Sequence, residues 1–214
     1  MAYLPTCDTL GSQRVGDVPD SPMIVAFHDE TGNPALTNHF TTLQTNVYNP
    51  LGDDYGVLTT VVHDGHEISL TWPVLTKFNM AGIFTLRFHF VHTGHDIVTP
   101  EPLQFVVEDV DGWLSLEQAR QLWADAPLDD VFLYTLLQTA KDQCVAYAPV
   151  LAPTAPVPLR YTQAQLTQAR ALYQSTIANP NDNVGLENFT VRVFPLDFTI
   201  RAMLRPKRAL GGMF

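Results

Sequence analysis

Between Asp109 and Gly112 the hydrophobic pattern of this chain changes its period. Upstream, apolar and polar residues alternate: Phe84, Leu86, Phe88 and Phe90 fall on one side, and Thr85, Arg87 and His89 on the other. That is the period of a strand with one buried and one wet face. Downstream, Leu133, Leu136, Leu137, Ala140, Cys144 and Tyr147 recur every three or four residues, the stripe of an amphipathic helix. A single switch of this kind predicts an α+β chain in two parts, a β domain over 22–110 and a helical domain over 113–204. Residues 1–21 have no period and read as an extended arm or a covering strand, and 205–214 read as a C-terminal arm.

In the front part the strand-like runs are Met23 to Phe27, His39 to Val47, Tyr55 to Val62, Glu67 to Trp72, Ile83 to Val91 and Leu103 to Glu108. Turn chemistry separates them, with Asp64-Gly65 the clearest tight-hairpin signal. So many short strands predict an antiparallel, immunoglobulin-like sandwich. In the back part, Ser115 with Gln118 forms a capping box. Ala126-Pro127 breaks the first helix, and Asp129 and Asp130 open the second. Prolines 149, 153, 156 and 158 predict an extended strap. A third helix is expected over Thr162 to Ile177, capped by Thr162 with Gln165 at the box position and presenting Leu166, Ala169, Tyr173 and Ile177. Phe189 to Pro195 alternates like a short strand, and Asp197 can cap a last helix, Phe198 to Leu204.

Charge divides at the same boundary. Residues 1–112 hold three basic side chains, Arg14, Lys77 and Arg87, against fourteen acidic ones, whereas residues 113–214 hold nine basic and eight acidic ones. Phosphate backbones are gripped chiefly by Lys and Arg, so the acidic front argues against nucleic-acid binding there. Only 16% of the residues are charged, a deficit that suits a surface partly covered by other chains. Cys7 and Cys144 are too few and too distant for a disulfide framework, which fits assembly in a reducing cytoplasm. No stretch of apolar residues is long enough to predict membrane passage.

Several constellations invite a chemical reading. His63 with His66, and His89 with His92 and His95, resemble metal-ligand spacings, but residues three apart on a strand point to opposite faces. Only a bend at Asp64-Gly65 would let His63 and His66 converge. The pair Asp129 and Asp130 reads as a helix start in preference to an acid and its base. Cys144 lies on a core stripe, and Trp72, Trp113 and Trp123 are spread over both parts without a shared face. No phosphate loop or nucleophile elbow appears. The expectation is a non-enzymatic protein with no catalytic residue, no cofactor and no metal.

Leu114-Ser-Leu-Glu-Gln-Ala119, then Asp129-Asp130, Leu133, Leu136-Leu137, Ala140 and Val145, resemble the helical head-to-tail connector (adaptor) proteins of tailed bacteriophages. The resemblance runs from Trp113 to Phe214, and Asp197 through Phe214 is similar to that family's terminal helix and basic arm. It implies a structural virion protein of the neck between capsid and tail, assembled in the host cytoplasm. It further implies a homo-oligomeric ring, twelve-fold in the family, between the portal and the tail-side connector proteins. The implied partner-binding residues, facing the portal or a neighbouring subunit, are Arg201, Arg205, Lys207, Arg208, Leu210, Met213 and Phe214, with Met203 and Leu204 beside them. No membrane and no sequence-specific nucleic acid is expected as partner. Ala81-Gly-Ile-Phe-Thr-Leu86 resembles a strand of immunoglobulin-like modules, and Phe27 to Asn33 resembles the first hairpin of phage tail and baseplate sandwiches. That leaves an alternative, a tail or baseplate carbohydrate- or host-surface-binding module oligomerised by its helices.

Overall fold

A computed structural model of the chain describes residues 3–7, 12–19, 22–37, 39–73, 77–92, 97–152, 154–177 and 196–206. They form two compact units, 1–110 and 111–214, of an α+β protein.

The first unit holds nine strands: β1 (Leu4–Thr6), β2 (Gln13–Arg14), β3 (Met23–His28), β4 (Phe40–Tyr48), β5 (Asp54–Asp64), β6 (Glu67–Thr71), β7 (Gly82–His92), β8 (Ile97–Val98) and β9 (Leu103–Glu108). Their order is β1-β3-β6-β5-β4-β7-β9-β2, with β8 paired to β7. Every pairing is antiparallel except that of β2 with β9. The stretch preceding residue 22 thus supplies both edges, β1 beside β3 and β2 beside β9.

Strand β5 is shared between two neighbours. Its first half pairs with β4 and its second half with β6. The sheet therefore curls, and residues far apart in its order meet across one core. Phe27 on β3 lies edge-to-face with Phe88 and Phe90 on β7, at 5.2 and 5.3 Å between centroids. The alternation of the sequence explains this, since Met23, Val25 and Phe27 face inward with Phe84, Leu86, Phe88 and Phe90. At Gly65 and Gly82 the backbone itself calls for glycine. Gly65 takes a φ of +36° in the turn joining β5 to β6. Gly82 takes +139°, and a Cβ there would meet Pro50 Cγ at 2.5 Å.

The second unit holds α1 (Leu116–Leu122), α2 (Asp130–Tyr147), α3 (Leu159–Ile177) and α4 (Phe198–Leu204). The Ser115 capping box is present in both directions, Ser115 Oγ accepting from Gln118 N and Gln118 Oε1 accepting from Ser115 N. Asp129 caps α2 and accepts from Phe132 N at 2.7 Å. The stripe Leu133, Leu136, Leu137, Ala140 and Cys144 is buried.

The third helix departs from the sequence reading. It begins at Leu159, directly after the proline strap, so Thr162 lies inside it and donates to Leu159 O. Pro158 explains the earlier start: its carbonyl accepts from Tyr161 N, so the first turn closes on the strap itself. The buried face is consequently rotated to Tyr161, Ala164, Gln165, Gln168, Ala169 and Leu172, while Ile177 is exposed. Gln165, expected at a box position, is a core residue. The strand-like run Phe189 to Pro195 lies outside the described residues.

Candidate partner-binding site

Helix α4 starts at Asp197, whose side chain accepts from Phe198 N, and seven residues give it two turns. Ile200 and Leu204 point into a cluster with Cys144, Ala148, Tyr161 and Ala164, which fixes the helix on its own unit. The same geometry turns Arg201 and Arg205 outward, four residues apart on one face. Both guanidiniums lie over the ring of Tyr147, at 5.9 and 4.9 Å from its centroid. Tyr147 ends α2, whose last turn carries no basic residue, so α4 brings positive charge to the carbonyl end of that helix. Nearby in sequence to the strap, Arg160 lies 5.3 Å over the ring of Tyr161, which in turn stacks on Trp113.

Arg170 likewise lies over a ring, that of Trp123, at 5.7 Å from its centroid, while donating to Leu122 O; two other cations of this unit are paired with carboxylates. Arg120 pairs with Asp130 at 2.6 Å and donates to Leu128 O, and Lys141 pairs with Asp111. Among the described residues no carboxylate pairs with Arg160, Arg201 or Arg205. Stacking on a ring restrains a guanidinium and leaves its N–H edges for an outside acceptor. Large apolar side chains are also exposed in this unit: Phe198 (75%), Leu159 (73%), Val150 (98%) and Leu128 (93%).

Of the residues implied as partner-binding, the structure brings Arg201 and Arg205 together. Lys207, Arg208, Leu210, Met213 and Phe214 lie outside the described residues. Leu204 is buried in its own unit and Met203 is half-buried, so Leu204 is not available to a neighbour. The stripe assignment of Tyr147 concealed its role as the platform for both arginines; a tyrosine at the end of a stripe, beside a helix that lacks a basic last turn, was the available signal.

The remaining constellations resolve into structural roles. Asp129 and Asp130 cap and pair, as above. Cys144 is fully buried, and burial pushes its thiol up to about 11. Trp72 belongs to the sheet core, and Trp123 packs on Tyr173. The histidines pair in combinations that spacing did not suggest. His66 faces His28, at 6.1 Å between centroids, and His92 faces His39, at 5.5 Å. His95 lies outside the described residues. Among the described residues no group of three or more His, Cys, Asp or Glu could hold a metal ion, and no helix is long and apolar enough to cross a membrane.

No family model matches the chain, and no curated protein matches it. Among solved structures, the crystal structure of CopC from Methylosinus trichosporium OB3b aligns with 52% of this chain and 99% of that protein, at 13% identity and a TM-score of 0.32.

Proposed function

We propose that this chain is a structural assembly protein, a head-to-tail adaptor of tailed bacteriophages that forms a ring between the portal and the tail-side connectors. The sheet unit is then an immunoglobulin-like sandwich carried on the adaptor. Its strand order supports that reading, with β3 and β6 on one half, β4, β7 and β9 on the other, and β5 crossing between them.

The observation that carries the proposal is the design of α4. One face anchors the helix through Ile200 and Leu204, and the other holds Arg201 and Arg205 on Tyr147 without carboxylate partners. The sequence continues as Arg205-Pro-Lys-Arg208 and ends in Leu210, Met213 and Phe214. Charge steers such a segment to an acidic or carbonyl-rich surface, and apolar anchors hold it there. Exposed Phe198, Leu159 and Val150 are consistent with burial on neighbouring subunits.

Deleting residues 205–214 tests the assignment, because α4 and its anchors remain. The chain should stay folded yet fail to attach to the portal, leaving filled heads that do not join tails. Normal tailed particles from that deletion would overturn it.

A further inference from the structure

The helical unit has two unlike ends, and the direction of its helices explains why. Tyr161 near the start of α3 packs with Cys144 and Ala148 at the close of α2, whereas Tyr173 late in α3 meets Phe132 early in α2, so the two helices run antiparallel. Eighteen residues make α2 roughly 27 Å long, which keeps the ends of the pair well apart.

One end is made by the close of α2, the proline strap, the start of α3 and helix α4. Val150 on the strap, Leu159 opening α3 and Phe198 opening α4 are exposed there. Arg160 follows Leu159 and is exposed too, while Arg201 and Arg205 over Tyr147 add to the positive field of this end. The opposite end is made by the close of α1, the loop ahead of α2 and the close of α3, where Trp123 packs on Tyr173 and Arg120 donates to Leu128 O. Leu122, Leu128 and Ile177 are exposed on it. Its cations are already engaged, Arg120 with Asp130 and Arg170 with Trp123 and Leu122 O. Asp125 is exposed beside them, and no cation among the described residues pairs with it.

Both ends thus leave large apolar side chains in water, and their unpaired charges have opposite signs. Contact between two like ends would set Arg160 against Arg160 or Asp125 against Asp125, which is unfavourable. Contact between unlike ends buries both apolar sets and brings opposite charges together. Such a contact is heterologous, and a heterologous contact repeated from copy to copy closes into a ring when its rotation allows.

We propose that the strap and α4 end of one copy docks on the α1–α2 loop end of the next, with Val150, Leu159 and Phe198 meeting Leu122, Leu128 and Ile177 while Arg160 stands toward Asp125. This contact rests on the ring part of the adaptor reading and supplies its subunit interface, without involving the portal.

Sedimentation velocity of the full chain tests it. The unaltered chain should associate as its concentration rises. V150N/F198N removes anchors at one end and L122N/L128N at the other, and all four side chains are more than half exposed, so circular dichroism and melting should stay unchanged. Each variant alone should associate at least about tenfold more weakly. Mixed in equal amounts they should form a dimer and nothing larger, because each contributes one intact end. An unaltered chain that stays monomeric would overturn the proposal. So would either variant assembling alone as well as the unaltered chain, or a mixture that yields no dimer. A chain that assembles in this way yet leaves a portal bare would sink the adaptor reading and keep this contact, whereas rings on a portal that are indifferent to both variants would do the reverse.

Discussion

Gln165 on α3 donates from Nε2 to the carbonyl oxygen of Leu137 on α2 at 3.1 Å, and its Oε1 accepts from Leu114 N ahead of α1 at 3.1 Å. One buried amide thereby joins three segments of the helical unit. Burying an amide is costly unless its groups are paired, and both ends of this one are paired. Q165L keeps the volume and leaves Leu114 N without that acceptor. It should destabilise the helical unit by about 1–3 kcal/mol in chemical denaturation. A change within about 0.5 kcal/mol, the range of an ordinary surface substitution, would show that the bridge contributes little.

Phe27 serves the sheet unit in the corresponding way. It is fully buried and meets Phe88 and Phe90 across the core. F27A removes those contacts and leaves a cavity, and it should cost about 3–5 kcal/mol. A thermal melt in which F27A matched the unaltered protein would mean that the two halves of the sheet are not held together there.

Gly82 opens β7 where Pro50 comes close, and G82A should be harmful for two reasons. The residue has a positive φ, and the added methyl would stand 2.5 Å from Pro50 Cγ. Overpacking of this kind costs about 1–3 kcal/mol before any backbone strain is added. G16A shares the positive φ, at +95°, but has nothing within 4 Å of the new Cβ, so it should be milder. Equal losses from the two would remove Pro50 from the explanation.

How far the sequence carried these arguments differs between the units. Alternation located β3 and β7 because one face of each is dry, and Leu103–Glu108 falls where the sequence put it although Phe105 to Glu108 are buried on both faces. Strands β1, β2 and β8 span only two or three residues, too few for a period to register. In the helical unit, Ser115 and Asp197 were legible as caps because capping depends on residue type and spacing within one turn, whereas Asp129, read with Asp130 as a first-turn acid, is itself the cap of α2. The start of α3 was not legible, because the competing signal, Thr162 with Gln165, has the same spacing as a true box while Pro158 ends the strap earlier. The platform of Arg201 and Arg205 was illegible for another reason. It joins Tyr147 to residues more than fifty positions later, and no local pattern encodes that. The histidine pairs are long-range in the same sense, since His28 meets His66 in the β5–β6 turn and His39 meets His92 on β7.

Stability should fall at alkaline pH through Cys144. Burial raises its thiol from 9.0 to about 11, so the folded chain keeps a proton that the unfolded chain releases. The sign follows: this contribution is fully present below pH 9 and is lost as the pH rises towards 11, amounting to about 2–3 kcal/mol in all. Urea titrations across that range should show the loss in the unaltered chain and a flatter profile in C144A. A C144A profile as steep as the original would assign the alkaline loss to other groups.

The exposed arginines should matter to assembly and little to folding. R201E/R205E puts two carboxylates over Tyr147, and circular dichroism and melting should change only slightly, because Ile200 and Leu204 still anchor α4. Surface charge changes of this kind are ordinarily worth under about 1 kcal/mol. Attachment to the portal should nevertheless be lost. A variant that unfolds, or one that attaches normally, would contradict the division between the two faces of α4.

A ring of this chain on a portal would be visible by electron microscopy. The purified full chain is mixed with the portal protein of the same genome and imaged. The account predicts a closed ring of this chain stacked on the portal, absent when residues 205–214 are deleted. Portals that remain bare in the presence of the full, folded chain would contradict it.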